Sequence, residues 1–290
     1  MPPATTAEAA TGAAQAFAPA KLNLSLHVTG RRADGYHLLD SLVAFAGIGD
    51  SVTVSRAEAD TLAVIGPMAP GVPTGADNLV ARAVRVFDPG FPVAVTLTKR
   101  LPAAAGIGGG SSDAAACLRA LADLTGRPVP PPEAVLSLGA DVPVCLAARP
   151  ARMRGIGERV DPVGALPEMS VVLVNPGVAV PTGKVFSTLR RAKNPPMPER
   201  LQHWADAQEF ALWLGAQRND LEPPARDLAP DVDAALKALA ATSGCLLARM
   251  SGSGATCFGL YADSAQASGA ARRISDAQPA WWVAAARLLK

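Results

Sequence analysis

The 290-residue sequence has no marked excess of charge of either sign: 27 basic residues stand against 25 acidic ones, a formal net charge of +2. A whole-chain field that would gather nucleic acid or an anionic membrane surface is therefore excluded. Cysteine is scarce, with four residues (Cys117, Cys145, Cys245, Cys257), no CxxC pair and no neighbouring histidine. That spacing argues against zinc and against a disulfide framework, and reads as reduced core thiols. No apolar run approaches the roughly 18 residues of a membrane span. The first sixteen residues, MPPATTAEAATGAAQA, lack the basic start and apolar centre of a secretory leader and the arginines of a transit peptide. The expectation is a cytoplasmic protein with a loose tail over residues 1–16, no nucleic-acid or membrane partner, and nothing in the sequence to set its oligomeric state.

Glycine and alternating apolar residues are plentiful. AKLNLSLHVTG sets Leu22, Leu24, Leu26 and Val28 against Asn23, Ser25 and His27, the period of a half-buried strand. A turn at Asp34-Gly35 follows, then a second strand in which Val52 and Val54 alternate with Thr53 and Ser55. DNLVARAVRVF predicts a helix over 77–87 with Asp77 as its N-cap, and PVAVTLT a strand running into LPAAAGIGGGSSDAAA. From Ser111 to Leu124 an apolar stripe predicts a helix that Gly126 and Pro128 stop. Short helical character at 132–138 and a strand-like MRGIGERVDPV precede a break near 164–168. Beyond it, strands (171–174, 256–261, 281–288) alternate with helices (208–214, 231–241, 264–274), an α+β layering. The chain divides on this reading into a tail (1–16) and two domains, 17–165 and 166–290.

Gly106 to Gly110 contains four glycines and sits between a strand and a helix start. Bare backbone at a helix N-terminus aims N–H groups and the positive end of the helix dipole at one point, which is an anion site. GIGGGSS lacks the lysine of a Walker loop, and no acid follows at the Rossmann distance. On spacing alone, a nucleotide-phosphate loop and a tight structural turn both remain open.

Three further phrases accompany the loop: PAKLNLSLHVTGRRADGYH (19–37), LGADVPV (138–144) and SGSGATCF (251–258). Together with LPAAAGIGGGSSDAA they resemble the GHMP small-molecule kinases, in order and spacing over residues 17–290. The first phrase and GADVPV resemble the branch acting on a cytidine-diphosphate-linked methylerythritol in the non-mevalonate isoprenoid route. The resemblance implies a two-domain α+β fold with the active site in the cleft between the domains. It also implies phosphoryl transfer from ATP to one alcohol of that substrate.

Residue by residue, the resemblance makes Asp141 the catalytic carboxylate and Lys21 its partner, a pairing suited to taking a proton while offsetting charge on the moving phosphate. Asn23, two residues from Lys21 and so on the same strand face, is a substrate contact. Tyr36, His37 and Phe186 correspond to the cytosine pocket, and Thr182 to a substrate-side contact. Gly106, Gly108, Gly109, Gly110, Ser111 and Ser112 correspond to the phosphate loop, with Asn78 and Lys99 near the adenine. Mg2+ is expected from the chemistry of ATP; Ser112 is one candidate ligand, and the metal ligands stay open. The chain departs from the pattern at Ala103, Ala104 and Ala105, where glycines are usual. A homoserine- or mevalonate-type kinase would share the glycine loop but lack DGYH, and a non-catalytic module on the same fold would lack Lys21 or Asp141.

Overall fold

The computed structural model describes residues 12–290; of the tail expected over 1–16, residues 1–11 lie outside the described residues. Residues 13–16 correct that expectation, because they begin strand β1 (Ala13–Asn23), paired antiparallel with residues Val52 to Ser55. Their side chains alternate between half-buried and exposed along that pairing. A further strand, β2 (His27–Arg31), turns back through Asp34-Gly35 into β3 (His37–Arg56), a twenty-residue strand that also carries β1.

β4 (Thr61–Ile65), unforeseen in the sequence, runs parallel to β5 (Val93–Thr98), and α1 (Leu79–Phe87) forms the crossover between them. Asn78, not Asp77, caps α1: its Oδ1 accepts the Val80 N–H at 2.8 Å. The helix after the glycine loop, α2 (Gly109–Thr125), starts two residues earlier than the stripe predicts and ends at Gly126 in the left-handed conformation. α3 (Pro132–Leu138) and α4 (Val142–Ala147) follow, the second on GADVPVCLA. MRGIGERVDPV is a hairpin rather than one strand: β6 (Ala151–Gly155) and β7 (Arg159–Pro162) pair across a turn with Gly155 and Gly157 at positive φ.

The second half contributes β8 (Ser170–Asn175), α5 (Thr182–Ser187), α6 (Ala207–Gly215), α7 (Glu222–Leu228) and α8 (Pro230–Ala240). After them come β9 (Leu247–Met250), β10 (Cys257–Tyr261), α9 (Ser264–Ala277) and β11 (Trp282–Arg287). Two sheets result, one of seven strands with β3 at its centre and one of four in the order β11-β8-β10-β9. This is the expected α+β arrangement.

The expected half-buried strand over 22–28 is instead buried on both faces and broken after Asn23: Lys21, Asn23, Ser25 and His27 are all sealed from solvent. The second half of the chain covers the polar face and satisfies it. Arg249 donates to the Leu24 carbonyl at 2.9 Å, and the Ser251 hydroxyl accepts the Asn23 N–H at 3.1 Å. Leu22, Leu42 and Ala44 of the first sheet pack in one apolar cluster with Leu173, Phe258 and Leu260 of the second. The sheets part between Pro162 and Ser170 yet share a core. Leu288 bridges to Ala46, and the Leu289 N–H donates to the Phe45 carbonyl at 2.7 Å, which ties the strand after α9 back onto β3.

Candidate active site

A continuous cleft is built from two cavities, of about 900 and about 430 Å³, that share Ser111, Asp141, Thr182 and Phe186 among their walls. The smaller is lined by Lys21, Asn23, the glycine loop, Gly252 and Ser253, the larger by the β2–β3 turn, Met153, Ile156 and α5.

At the junction, Lys21 Nζ donates to Asp141 Oδ2 at 2.8 Å. The lysine side chain is 4% exposed and the carboxylate 32%, so the ammonium is held from below while the carboxylate opens into the cleft. Asp141 sits just ahead of α4, whose first turn Pro143 stiffens. Asn23, on the same strand as Lys21, donates from Nδ2 to Ser41 Oγ at 2.8 Å, which fixes its amide beside the pair. Ser41 carries no motif of its own; only the β1–β3 register brings it there.

The glycine loop carries two kinds of glycine. A Cβ on Gly106 (φ +74°) would lie 2.5 Å from the Ser251 carbonyl oxygen, and one on Gly108 (φ +60°) 3.1 Å from the Lys21 side chain. Gly106 lets two backbones meet, and Gly108 leaves room for the Lys21 side chain to pass. Gly109 and Gly110 face nothing nearer than 3.5 Å and line the cleft. The first intrahelical bond of α2 runs from Ser112 N–H to the Gly108 carbonyl at 2.8 Å. The N–H groups of Gly109, Gly110 and Ser111 therefore precede the helical ladder and stand free for an anion. Ala104 holds a left-handed φ of +50° where glycine would be unstrained, and with Ala105 it lines the cleft.

Three residues expected to face nucleotide do not present their side chains to it. Ser112 is fully buried and donates its hydroxyl to the Pro19 carbonyl at 2.7 Å, anchoring α2 to β1, so that oxygen is not a metal ligand. Asn78 is occupied as the α1 cap, with its Nδ2 donating to the Pro73 carbonyl at 2.6 Å. Lys99 is buried beneath the loop, paired with Asp50 and with Asp113 Oδ2, the latter at 2.8 Å. Burial draws the Lys99 ammonium down, but the two carboxylates more than offset it and hold it above its usual range. Neither Asn78 nor Lys99 lines the cleft.

On the far side, His37 stacks on Phe186 with ring centroids 4.8 Å apart and planes 23° from parallel. Tyr36 stands across the cavity mouth, 63% exposed. Partial burial, followed by the charge of Arg31, lowers the His37 pKa and favours a neutral ring. Thr182 Oγ1 and Ser253 Oγ lie 2.7 Å apart, joining α5 to the SGSGAT turn. Ser253 was legible only as part of that small-residue phrase. Such an arrangement can bind an anionic group at the N-terminus of α2, stack a planar ring at the other end, and set a carboxylate between them.

Residues 78–149 match the GHMP kinases N terminal domain, and residues 200–280 match GHMP kinases C terminal. The chain is 58% identical over 275 residues to a 4-diphosphocytidyl-2-C-methyl-D-erythritol kinase of Cereibacter sphaeroides, covering 94% of this chain and 99% of that one. It is 54% identical to the Ruegeria pomeroyi protein of the same name, over 96% of this chain and all of the relative. A crystal structure of 4-(cytidine 5'-diphospho)-2C-methyl-D-erythritol kinase superposes with a TM-score of 0.79 at 36% identity, covering 95% and 99% of the two chains. A homoserine kinase from Cytophaga hutchinsonii shares the fold at 17% identity, with a TM-score of 0.64 and 98% and 97% coverage.

Proposed function

Since the chain belongs to the GHMP kinases, and among them to the 4-diphosphocytidyl-2-C-methyl-D-erythritol kinases, we propose that its cleft transfers a phosphoryl group from ATP to the 2-hydroxyl of that CDP-linked polyol. The product is the 2-phosphate of the non-mevalonate route to isoprenoids. The observation that carries the assignment of roles is the Lys21–Asp141 pair, set between the free N–H groups of α2 and the His37–Phe186 stack.

Residues 17–165 supply the phosphate loop and the Lys21–Asp141 pair, and residues 166–290 supply α5 and the SGSGAT turn. ATP phosphates rest on the N–H groups of Gly109, Gly110 and Ser111, where the helix dipole favours negative charge. Asp141 accepts the proton of the acceptor hydroxyl as the new O–P bond forms, and the Lys21 ammonium offsets the charge growing on the transferred group. Asn23 orients the hydroxyl. His37 and Phe186 form one wall of the cytosine pocket, and Tyr36 covers the other face of the base.

Mg2+ accompanies the nucleotide in this reading. A magnesium ion carried on phosphates needs only one or two protein oxygens. Ser111, common to both cavities at the start of α2, would hold it through its hydroxyl, which leaves Asp141 Oδ1 for the proton of the acceptor hydroxyl. When bound, the ion would neutralise phosphate charge.

The test is ADP release with the CDP-linked substrate, mevalonate and homoserine side by side, for wild type and Asp141→Asn. Turnover is expected with the first alone. The Asn variant is expected to lose at least about a thousandfold in kcat while ATP affinity stays within a few-fold, since the amide keeps the shape without accepting a proton. Turnover of mevalonate or homoserine instead would overturn the substrate, and equal losses in kcat and ATP binding would make Asp141 structural.

A further inference from the structure

A substrate joined through a diphosphate brings at least two negative charges into the larger cavity, and the walls answer them unevenly. Its charged lining residues are Arg31, Asp34 and Asp141. Asp141 is neutralised by Lys21, and Asp34 pairs with Arg32 at 2.7 Å. Arg31 alone has no carboxylate partner among the described residues. Two adjacent arginines in GRRADGYH thus have different assignments: Arg32 closes the turn, and Arg31 faces the cavity.

The sheet register fixes where Arg31 points. It is the antiparallel partner of His37 across β2 and β3. Directly paired side chains leave the sheet on the same face, about 5 Å apart at Cβ. The guanidinium therefore stands beside the ring that stacks on Phe186. Its charge is felt there, being the second cause, after burial, of the lowered His37 pKa. Arg31 Nε donates to the Gly35 carbonyl at 3.1 Å, which steadies the plane and leaves both Nη groups unpartnered among the described residues. A planar fork with two free nitrogens, one residue-width from a base-stacking wall, matches phosphate oxygens bidentately.

The geometry points to Arg31 as the residue that binds the diphosphate linker of the acceptor substrate, next to the nucleobase and short of the reacting hydroxyl. It would set specificity for a nucleoside-diphosphate-linked acceptor over an uncharged polyol. The inference rests on the CDP-linked acceptor proposed above.

Titration of the full chain with cytidine and with CDP separates the two. Wild type is expected to bind CDP at least about tenfold more tightly than cytidine, an advantage that shrinks between low and high salt as a charge contact must. Arg31→Gln should bring the two affinities within about threefold while leaving cytidine and ATP binding near wild type. Arg31→Lys, which keeps the charge, should retain most of the preference, and melting curves of both variants should overlay wild type. Equal loss of cytidine and CDP in Arg31→Gln would make Arg31 a base contact or a turn support and overturn the inference, as would an unchanged preference. Wild type binding neither ligand, with ATP still bound, would instead sink the CDP-linked acceptor itself, and this inference with it.

Discussion

Asp113 is buried with one oxygen, Oδ1, that meets no hydrogen-bond partner among the described residues, while its Oδ2 accepts a hydrogen bond from Lys99. The same ammonium bonds to Asp50, whose Oδ1 also accepts the N–H groups of Arg100 and Leu101. Two carboxylates and one ammonium leave the group one positive charge short. Asp50 has the donors, so the missing proton belongs on Asp113. Burial first, and then the Asp50 charge, push the Asp113 carboxyl up to about 7 against the pull of Lys99. A raised folded pKa means stability that is whole below the unfolded value near 4 and falls as the pH climbs to about 7. Chemical unfolding at pH 5 and pH 8 is therefore expected to show wild type losing stability that Asp113→Asn, a neutral isostere, does not lose. Parallel slopes for the two proteins would remove the shared proton.

The turn from β5 into α2 makes a sharper test of what its glycines are for. Gly106→Ala puts a Cβ against the Ser251 carbonyl at a φ that alanine resists, so both melting temperature and ATP affinity should drop. Gly109→Val starts from an ordinary helical φ with its Cβ in plain van der Waals contact, 3.6 Å from Lys99 Nζ, so the melting temperature should fall less than in Gly106→Ala while ATP KM rises at least about tenfold. Matching melting losses in both variants would reduce the loop to a packing turn. The loop was legible in the sequence because glycine composition directly encodes backbone that must bend or come close. The uses of Ser112, Lys99 and Asn78 were not, since each is turned inward by a partner that only the fold supplies. Pro19 on β1 takes the Ser112 hydroxyl, Asp50 on β3 takes Lys99, and the loop ahead of α1 takes Asn78. β4 escaped for a different reason: a short edge strand carries little periodic signal. Arg31 was in plain view in GRRADGYH, but which of two arginines faces the cavity is decided by register.

At the scale of the whole molecule, a buried ion pair within the first sheet adds to the shared core in holding the second half of the chain. Arg152 on β6 grips Asp40 on β3 with Nε and Nη2, at 2.8 and 2.7 Å. The remaining N–H groups of Arg152 reach the carbonyls of Met197, Pro198 and Glu199, and Asp40 Oδ2 accepts the Met197 N–H. A segment of the second half is thereby stapled onto the first sheet. Arg152→Met strands a buried carboxylate and should cost about 3–5 kcal/mol in denaturant unfolding. The double variant with Asp40→Asn should recover part of that loss, and limited proteolysis near 195–199 should speed up in the single variant. A loss below about 1 kcal/mol would show that the pair is solvated in solution.

The return of Leu288 and Leu289 onto Ala46 and Phe45 has a consequence for the order in which a ribosome can finish this protein. The central strand of the first sheet emerges early, but the residues that cover this stretch are translated roughly 240 positions later. At ordinary elongation speeds that interval is on the order of tens of seconds. Over that interval the nascent first half keeps part of its apolar seam uncovered, which makes it a client for whatever shields emerging chains.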